Sequence, residues 1–434
     1  MALIESWEDS EHTAEYLLDE VLSSSNLEPK SRARVTEEFL SWTRGRGSAK
    51  YLLNRKLKNG IGSLTPELRR KLEVAVTRLL FEERTPKPII VSIAVDEIKS
   101  EFGPGLAKLA NAVLRGLAEH GPEWPSKDNP INYLARSKSY PRWLVKRWLQ
   151  RWSNTEVEAL LDWHNQRPST WLRWNLLRGE LELAELKLTE SGIVFESDDH
   201  FKGFYKLKSS FYPAAANLVF DGWFSVQDPS ASLAVRLLNP QRGMKIADLC
   251  AAPGGKTTLL AQLSGDSAEI DAVDSSADRL QRLKVAIKQQ GISCIKAHVS
   301  GAREFAERTQ ERYDAVLLDV FCSGLGVLGR RADLRWRRKP EDITDLAILQ
   351  RELINAASII LKAGGALIYS TCTLEPDENE RIVEDFLGNH PDFIIDKPVA
   401  EEFDDFRTPE GYLKTFSPQH HIDGVFSAKL IKQG

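Results

Sequence analysis

The sequence predicts a multidomain chain with an all-α N-terminal part and a C-terminal α/β part of Rossmann-like type, built on a largely parallel sheet. Apolar residues recur at helical spacing up to about residue 120. From residue 243 onward, short apolar strands alternate with helical stretches, as in a parallel sheet covered on both faces. The length of 434 residues allows two or three domains.

The clearest N-terminal helix covers residues 106–120 (LAKLANAVLRGLAEH), and Gly103 to Gly105 break the chain just before it. Its apolar side chains are spaced for one helix face: Leu106, Leu109, Ala110, Val113, Leu114 and Leu117. A second amphipathic run covers residues 68–81. This pattern predicts an all-α domain.

The segment 121–140 contains three prolines and is predicted to be a linker. A helix follows in which Leu144, Trp148 and Trp152 are four residues apart, and seven of the eleven tryptophans lie between residues 124 and 174. Aromatic side chains interleaved with arginines can stack on RNA bases. Their place on the apolar stripe favours core packing over that alternative.

Charge is segregated along the chain, although the net charge is only −4. Residues 1–29 carry eight acidic side chains and no Lys or Arg, whereas residues 30–87 carry fifteen basic and six acidic ones. A second basic cluster lies within residues 330–339 and includes Arg330, Arg331, Arg335 and Arg337. Local basic surface is what phosphate binding requires. Solvated helix faces are the alternative for the first cluster.

The cysteines and the N-terminus bear on the cellular compartment. None of the four cysteines forms a C-x-x-C pair, and no histidine lies at zinc-ligand spacing from them, so neither a disulfide framework nor a metal site is expected. The acidic N-terminus lacks the pattern of a secretory signal, and no stretch is apolar enough to span a membrane. We therefore expect a cytoplasmic protein, with a monomer as the default.

The first predicted strand of the α/β part, residues 244–249, leads into CAAPGGKT, which permits two interpretations. A nucleotide phosphate loop needs glycine at the position of Cys250, and Pro253 removes a backbone donor from such a loop. A glycine-rich turn for an adenosine-type cofactor fits better. Asp274 lies 26 residues after Asp248, close to the spacing of an acid that meets ribose hydroxyls, although it could equally cap the next helix.

Two further strand ends carry chemically competent side chains. The strand YDAVLLD ends at Asp319 with Cys322 three residues on, and the strand GGALIYST leads directly into Cys372. Ligands of parallel sheets bind beyond the carboxyl ends of the strands, so both cysteines are expected to face one crevice. A single cysteine of this kind is more often inert core, but two beside a buried acid indicate a reactive site.

These stretches together resemble the signature set of the Sun family of RNA cytosine-5 methyltransferases. The resemblance rests on DLCAAPGGK at 248–256, Asp319 with CSG at 322–324, RADLRWRR at 331–338 and STC at 370–372. It continues in VQDPSASL at 226–233 and DGVFSAKL at 423–430. The helical N-terminus, with NAVLRGL at 111–117, is similar to the NusB-like domain of the family's bacterial member that modifies small-subunit ribosomal RNA.

The resemblance implies S-adenosylmethionine as cofactor and RNA, most specifically 16S ribosomal RNA, as substrate. It implies that Cys372 attacks carbon 6 of a cytosine, that Cys322 assists release and that Asp319 holds the base edge while lying near the methyl donor. Cofactor contacts are implied for Cys250, Ala251, Ala252, Pro253, Gly254, Gly255, Lys256 and Asp274. RNA contacts are expected from Arg330, Arg331, Arg335 and Arg337 and from the basic segment 30–87.

The implied organisation is a NusB-like helical domain at 1–135, a small α+β connecting domain at 136–235 and a methyltransferase domain at 236–434. The chain departs from the family's pattern twice, with Val320-Phe321 in place of Ala-Pro and with Gly301 in place of an acid. These departures keep open an RNA-binding protein with a degenerate methyltransferase domain. A transfer RNA substrate is also an open alternative, and an NTPase is a distant third.

Overall fold

The computed structural model describes residues 1–208 and 213–434, and these fold as two compact units. The first unit comprises Met1–Arg167 together with Leu328–Pro340, and the second comprises Pro168–Val327 with Glu341–Gly434. The domain boundaries predicted at 135 and 235 stay predictions. No helix in the described ranges has the length and hydropathy needed to cross a membrane.

The helices are numbered in chain order. They are α1 Ala2–Asp9, α2 Ala14–Ser23, α3 Pro29–Lys56, α4 Pro66–Phe81, α5 Lys87–Phe102, α6 Pro104–His120, α7 Pro130–Ser137, α8 Arg142–Trp148, α9 Asn154–Asn165, α10 Leu181–Glu190, α11 Pro213–Phe220, α12 Ser232–Leu238, α13 Gly255–Leu263, α14 Ala277–Gln290, α15 Ala302–Arg308, α16 Leu334–Arg337, α17 Pro340–Ile359, α18 Glu380–Asn389 and α19 Ser417–His420.

The strands are numbered in the same way. They are β1 Trp171–Trp174, β2 Phe195–Ser197, β3 Phe204–Leu207, β4 Phe224–Val226, β5 Lys245–Asp248, β6 Glu269–Asp274, β7 Ile295–Val299, β8 Tyr313–Asp319, β9 Leu361–Thr371, β10 Phe393–Ile395, β11 Leu413–Lys414 and β12 Phe426–Lys432.

The first unit is helical, as its sequence pattern predicts. Helix α6 lies between Gly103 and Gly121, both with positive φ, and buries the face formed by Ala107, Ala110, Val113, Leu114 and Leu117. Leu109, predicted for that face, is instead 37% exposed. Leu144 and Trp148 of α8 are fully buried, so core packing is the role of these two stripe residues.

Part of the acidic N-terminal segment pairs with the basic segment inside the first unit. The carboxylate of Glu8 lies within 4 Å of four cationic side chains, those of Arg46, Lys50, Arg69 and Arg70. Burial acts to raise the pKa of Glu8, but these cations outweigh burial and the pKa is lowered. Some of the basic side chains of residues 30–87 are therefore paired with an acid inside the fold.

The second unit contains a small antiparallel sheet with strand order β2-β3-β1-β4. One face of the sheet, which includes Leu172, Trp174 and Phe224, packs against α10 and α11. Ala184 and Leu188 of α10 belong to the same buried cluster. This arrangement confirms the predicted α+β element between the helical and α/β parts.

The larger sheet of the second unit has the order β10-β12-β9-β8-β5-β6-β7, and β11 pairs with β12. Strands β5 to β9 are parallel, whereas β10, β11 and β12 pair antiparallel. The parallel part confirms the α/β prediction. Since the chain order reverses between β5 and β8, a crevice is expected beyond their carboxyl ends.

Candidate active site

Four parallel strands deliver polar side chains to one edge of the large sheet. Asp248 ends β5, Asp274 ends β6, Asp319 ends β8, and Thr371 ends β9 immediately before Cys372. Asp319 is in register with Ser370 across the β8–β9 pair. The structure therefore brings together the acids and the cysteine that the sequence places at strand ends.

Lys256 and Asp319 form an ion pair across this edge. The Nζ atom of Lys256, in the first turn of α13, lies 2.7 Å from Oδ2 of Asp319. Burial acts to lower the pKa of Lys256, but the Asp319 carboxylate, followed by Cys372 and Asp248, outweighs burial and raises it. Lys256 is consequently a fixed cation between the acid of β8 and the thiol that follows β9.

Asp274 holds the turn that follows β5. Its Oδ2 accepts a hydrogen bond of 3.1 Å from the backbone N–H of Ala252, and its Oδ1 accepts one of 2.9 Å from Ser276. Each carboxylate oxygen offers about two lone-pair sites, so each retains capacity for a further donor. A pair of vicinal hydroxyls, as on a ribose, suits that remaining capacity.

Asp248 is the most deeply buried of the three acids, with 1% exposure. Its Oδ2 accepts a hydrogen bond of 2.7 Å from the Thr257 hydroxyl, while its Oδ1 has no hydrogen-bond partner among the described residues. Burial raises the pKa of Asp248 to about 7. Burial and the nearby carboxylates also raise the pKa of the Cys250 thiol, which makes it a poor nucleophile.

The loops after β8 and β9 bring Cys322 and Cys372 together. Their sulfur atoms are 3.2 Å apart, and the backbone N–H of Cys372 lies 3.3 Å from the Cys322 sulfur. The contact with Cys372, together with burial, raises the pKa of Cys322 well above that of a free thiol. Cys322 is therefore held as the neutral thiol of the pair.

Several side chains that hold these two loops were not predicted from the sequence. The Ser323 hydroxyl is 2.7 Å from that of Thr373, and the Ser323 N–H donates 2.8 Å to Oε2 of Glu378, a fully buried acid. Gly326 donates to the carbonyl of Cys372, and a Cβ at Gly326 would lie 2.0 Å from the carbonyl oxygen of Gly424. Gly326 and Gly424, the last glycine of CSG-x-G and the glycine of DGV, are thus explained by close backbone packing.

Arg173 of β1 is a second unpredicted contributor. Its side chain is 2% exposed. It donates a hydrogen bond of 2.7 Å to the carbonyl of Gly255 and one of 3.0 Å to the Thr258 hydroxyl, both at the start of α13. A further donation goes to Gln227 of the VQDPSASL stretch. Burial lowers the pKa of Arg173 to about 9. A single arginine in an apolar strand carries no sequence signal that would assign it to the turn.

Two of the four arginines predicted to contact RNA form hydrogen bonds within the first unit. Arg335 is fully buried, donates 2.6 Å to Oδ1 of Asn165 and lies 3.9 Å from the Tyr140 ring centroid. Arg337 donates to backbone carbonyls of residues 7, 10 and 12. Arg331 is 51% exposed and pairs with Glu15, and Arg330 is partly buried. Arg335 and Arg337 therefore serve packing in this arrangement.

The two departures from the family's pattern have different surroundings. Val320 is buried, whereas Phe321 is 56% exposed. Gly301 directly precedes α15, and a Cβ there would meet nothing within 4 Å. The missing acid at 301 thus leaves open space rather than a filled contact.

Comparison with known proteins identifies the family of this chain. Residues 235–431 match the model of the 16S rRNA methyltransferase RsmB/F family, residues 1–119 match the NusB family, and residues 140–210 match a ferredoxin-like domain of RsmF/B-like methyltransferases. A probable ribosomal RNA small subunit methyltransferase B from Synechocystis is 34% identical over 424 residues, covering 96% of this chain and 94% of the relative. The chain belongs to the RsmB/F family.

Other RsmB/F relatives match along nearly the whole chain. The ribosomal RNA small subunit methyltransferase B of Klebsiella pneumoniae is 31% identical, with 96% of each chain covered. Among solved structures, that of PH0851 superposes with a TM-score of 0.79 at 29% identity, covering 96% of this chain and 94% of its own. The NSun6 structure from Pyrococcus horikoshii, at 22% identity and a TM-score of 0.61, covers 70% of this chain and all of its own, and supports the fold.

Membership in the RsmB/F family makes the chain a methyltransferase that uses S-adenosylmethionine. The residues at the ends of β5, β6 and β8 and in the first turn of α13 fit that molecule. They provide an orphaned buried acceptor in Asp248, spare acceptor capacity in Asp274, and one side chain of each charge in Lys256 and Asp319. The phosphate-loop alternative for CAAPGGKT is thereby set aside.

Proposed function

We propose that this methyltransferase modifies carbon 5 of a cytosine in small-subunit ribosomal RNA, through a covalent bond between Cys372 and carbon 6 of the base. The observation that carries the proposal is the juxtaposition of the two sulfur atoms, 3.2 Å apart, with the ion pair of Lys256 and Asp319 at the adjoining strand ends. Relatives named small subunit methyltransferase B along the whole chain support the choice of RNA.

Cytosine carbon 5 is too weak a nucleophile to accept a methyl group directly. Addition of the Cys372 thiolate to carbon 6 gives carbon 5 enamine character. The ammonium of Lys256 interacts electrostatically with Cys372 and provides a positive charge for the attacking sulfur. After methylation the carbon 5 proton passes to a water molecule, its bonding electrons form the double bond between carbons 5 and 6, and the bond from carbon 6 to sulfur breaks to release Cys372 as the thiolate. Cys322, held neutral, assists that release by donating a hydrogen bond to the departing sulfur, 3.2 Å away.

S-adenosylmethionine supplies the methyl group when it is bound. The turn of Cys250, Ala251, Ala252, Pro253, Gly254 and Gly255 would let it approach the backbone, Asp274 would accept hydrogen bonds from its ribose hydroxyls, and Lys256 and Asp319 would hold its charged groups. Asp319 also holds the base edge, where its carboxylate balances the positive charge of a ring protonated at nitrogen 3. Each of these roles uses a group at a strand end of the large sheet.

The target base must leave its stack to reach the thiol, so single-stranded or loop RNA is the substrate. Arg330 and Arg331 are proposed as phosphate contacts, while Arg335 and Arg337 are left out because their guanidinium groups are used inside the first unit. Phosphate contacts by cations make binding weaken as salt concentration rises.

The proposal is tested by labelled methyl transfer to unmodified 16S ribosomal RNA and, in parallel, to unmodified transfer RNA, with mapping of the product base. A 5-methylcytosine in 16S ribosomal RNA alone is expected. Methylation of transfer RNA but not of 16S ribosomal RNA would contradict the proposed substrate and make transfer RNA the substrate instead. Binding of RNA with no binding of S-adenosylmethionine or its demethylated product would favour a degenerate domain.

A further inference from the structure

Phe321 is an exposed aromatic residue in an otherwise buried loop. Its side chain is 56% exposed, whereas its neighbours Val320, Cys322 and Ser323 are 4%, 5% and 0% exposed. Cys322 belongs to the sulfur pair described above. Because consecutive Cα atoms are about 3.8 Å apart, the backbone of Phe321 lies beside that of Cys322, on the loop that carries the sulfur pair.

The backbone that carries Phe321 is held on both sides. The N–H of Val320 donates a hydrogen bond of 3.0 Å to the carbonyl of Ser370. The carbonyl of Phe321 accepts one of 3.0 Å from Nε2 of Gln350. The same Nε2 donates 3.0 Å to Glu378, which also accepts from Ser323. Gln350 and Glu378 are fully buried. Exposure of the ring is therefore a property of an ordered loop.

We propose that the Phe321 ring stacks on a nucleobase next to the target cytosine, so that Phe321 contacts the RNA and sets its preference for sequence context. This inference rests on the proposed function. Unstacked RNA bases stack on aromatic side chains, and an exposed phenyl ring within one residue of Cys322 offers such a face.

The neighbouring base is a better partner for the ring than the target base. Addition at carbon 6 and methylation at carbon 5 both proceed along the normal to the cytosine ring, so an aromatic ring lying flat over those atoms would block the reaction. A base adjacent to the target has both faces available once the target has left the stack. The family's pattern has proline at this position, so the phenyl ring adds a contact that the pattern lacks.

The test compares Phe321→Ala, Phe321→Leu and Phe321→Trp, with Phe220→Ala as the matched control, since Phe220 is a 72% exposed phenylalanine at the end of α11. The readouts are kcat and KM for unmodified 16S ribosomal RNA at saturating S-adenosylmethionine. Loss of one stacked base is expected to raise KM for RNA by between about fivefold and a hundredfold in the alanine and leucine variants. The tryptophan and Phe220 variants should stay within about twofold of the parent.

A second measurement locates the base. Single-stranded oligonucleotides with one cytosine carry 2-aminopurine either beside the cytosine or several nucleotides away. Binding of the parent protein should quench the adjacent fluorophore but not the distant one, and Phe321→Ala should lose this quenching. Full RNA affinity in Phe321→Leu, or equal quenching in Phe321→Ala and the parent, would overturn the inference. Failure of the proposed function would look different, because the parent protein itself would produce no 5-methylcytosine.

Discussion

The sulfur atoms of Cys322 and Cys372 lie 3.2 Å apart, although the two residues are 50 positions apart in sequence. They meet because β8 and β9 are adjacent parallel strands whose carboxyl ends open at the same edge. Only one of the two thiols can act as the nucleophile at a given moment. Their neighbourhoods differ, since Cys322 is held neutral by Cys372 and burial while Cys372 lies close to the Lys256 ammonium.

The first prediction separates the roles of the two cysteines. Cys372→Ala should lose methyl transfer by at least about a thousandfold, because the remaining thiol of the pair, Cys322, is held neutral and is a poor nucleophile. Cys322→Ala should retain the addition step but accumulate a protein–RNA adduct that survives denaturing electrophoresis. An adduct formed by Cys372→Ala instead would reverse the assignment.

The second prediction concerns the ion pair of Lys256 and Asp319, whose side chains are 18% and 29% exposed. Lys256→Met and Asp319→Asn should each abolish most activity. Their effects on the free energy of unfolding should be coupled by about 0.5 to 3 kcal/mol, toward the lower end because solvent reaches both groups. Urea unfolding of the two single variants and the double variant measures this coupling. Additive effects would show that the pair does not interact in solution.

The third prediction addresses the close packing of Gly326 against Gly424. Gly326→Ala should inactivate the protein and lower its unfolding midpoint, because the new Cβ would lie 2.0 Å from the Gly424 oxygen and 2.9 Å from that of Cys372. Gly388→Ala in α18 is the control, since a Cβ there meets nothing within 4 Å. The control is expected to be neutral or to stabilise by up to about 1 kcal/mol. Equal behaviour of the two variants in thermal unfolding and methyl transfer would refute this account.

The sequence is sufficient to predict the strand ends but not the side chains that support them. Asp248, Asp319 and Cys372 could be located because an apolar strand followed by a polar residue is a local pattern. Glu378 could not, since its contact with Ser323 spans 55 residues and depends on how the chain returns after β9. Arg173 was missed for the same reason, because its partner Gly255 is 82 residues away.

The basic cluster at 330–339 shows a different limit of sequence analysis. A run of arginines has the same composition whether it faces solvent or the interior, and the outcome is decided by packing. Here the segment 328–340 belongs to the helical first unit, where Arg335 meets Tyr140 and Asn165. The sequence distance of 170 residues between Arg335 and Asn165 leaves no local signal of that contact.

The fourth prediction contrasts two arginines of this cluster. Arg335→Ala should destabilise the first unit by about 2 to 4 kcal/mol, because it leaves buried acceptors unpaired and removes the contact with the Tyr140 ring. Arg331→Ala should change stability little but reduce the salt dependence of RNA binding by about one unit of slope. Urea unfolding and RNA titrations at several salt concentrations distinguish them. A reduced salt slope in a folded Arg335→Ala protein would restore that residue as an RNA contact.

The fifth prediction follows from the buried carboxyl of Asp248, whose pKa is raised to about 7 by burial. In the unfolded chain this group has a pKa near 3.9, so between about pH 4 and pH 7 the folded state binds more protons than the unfolded state. The contribution of Asp248 to the free energy of unfolding is therefore greatest below that window. It falls as pH rises through the window, by on the order of a few kcal/mol. Asp248→Asn keeps an oxygen that can accept from Thr257 and removes the titration. Urea unfolding at about pH 5 and about pH 8 should show a smaller fall in stability for the variant than for the parent, and parallel curves would show that Asp248 ionises normally in the fold.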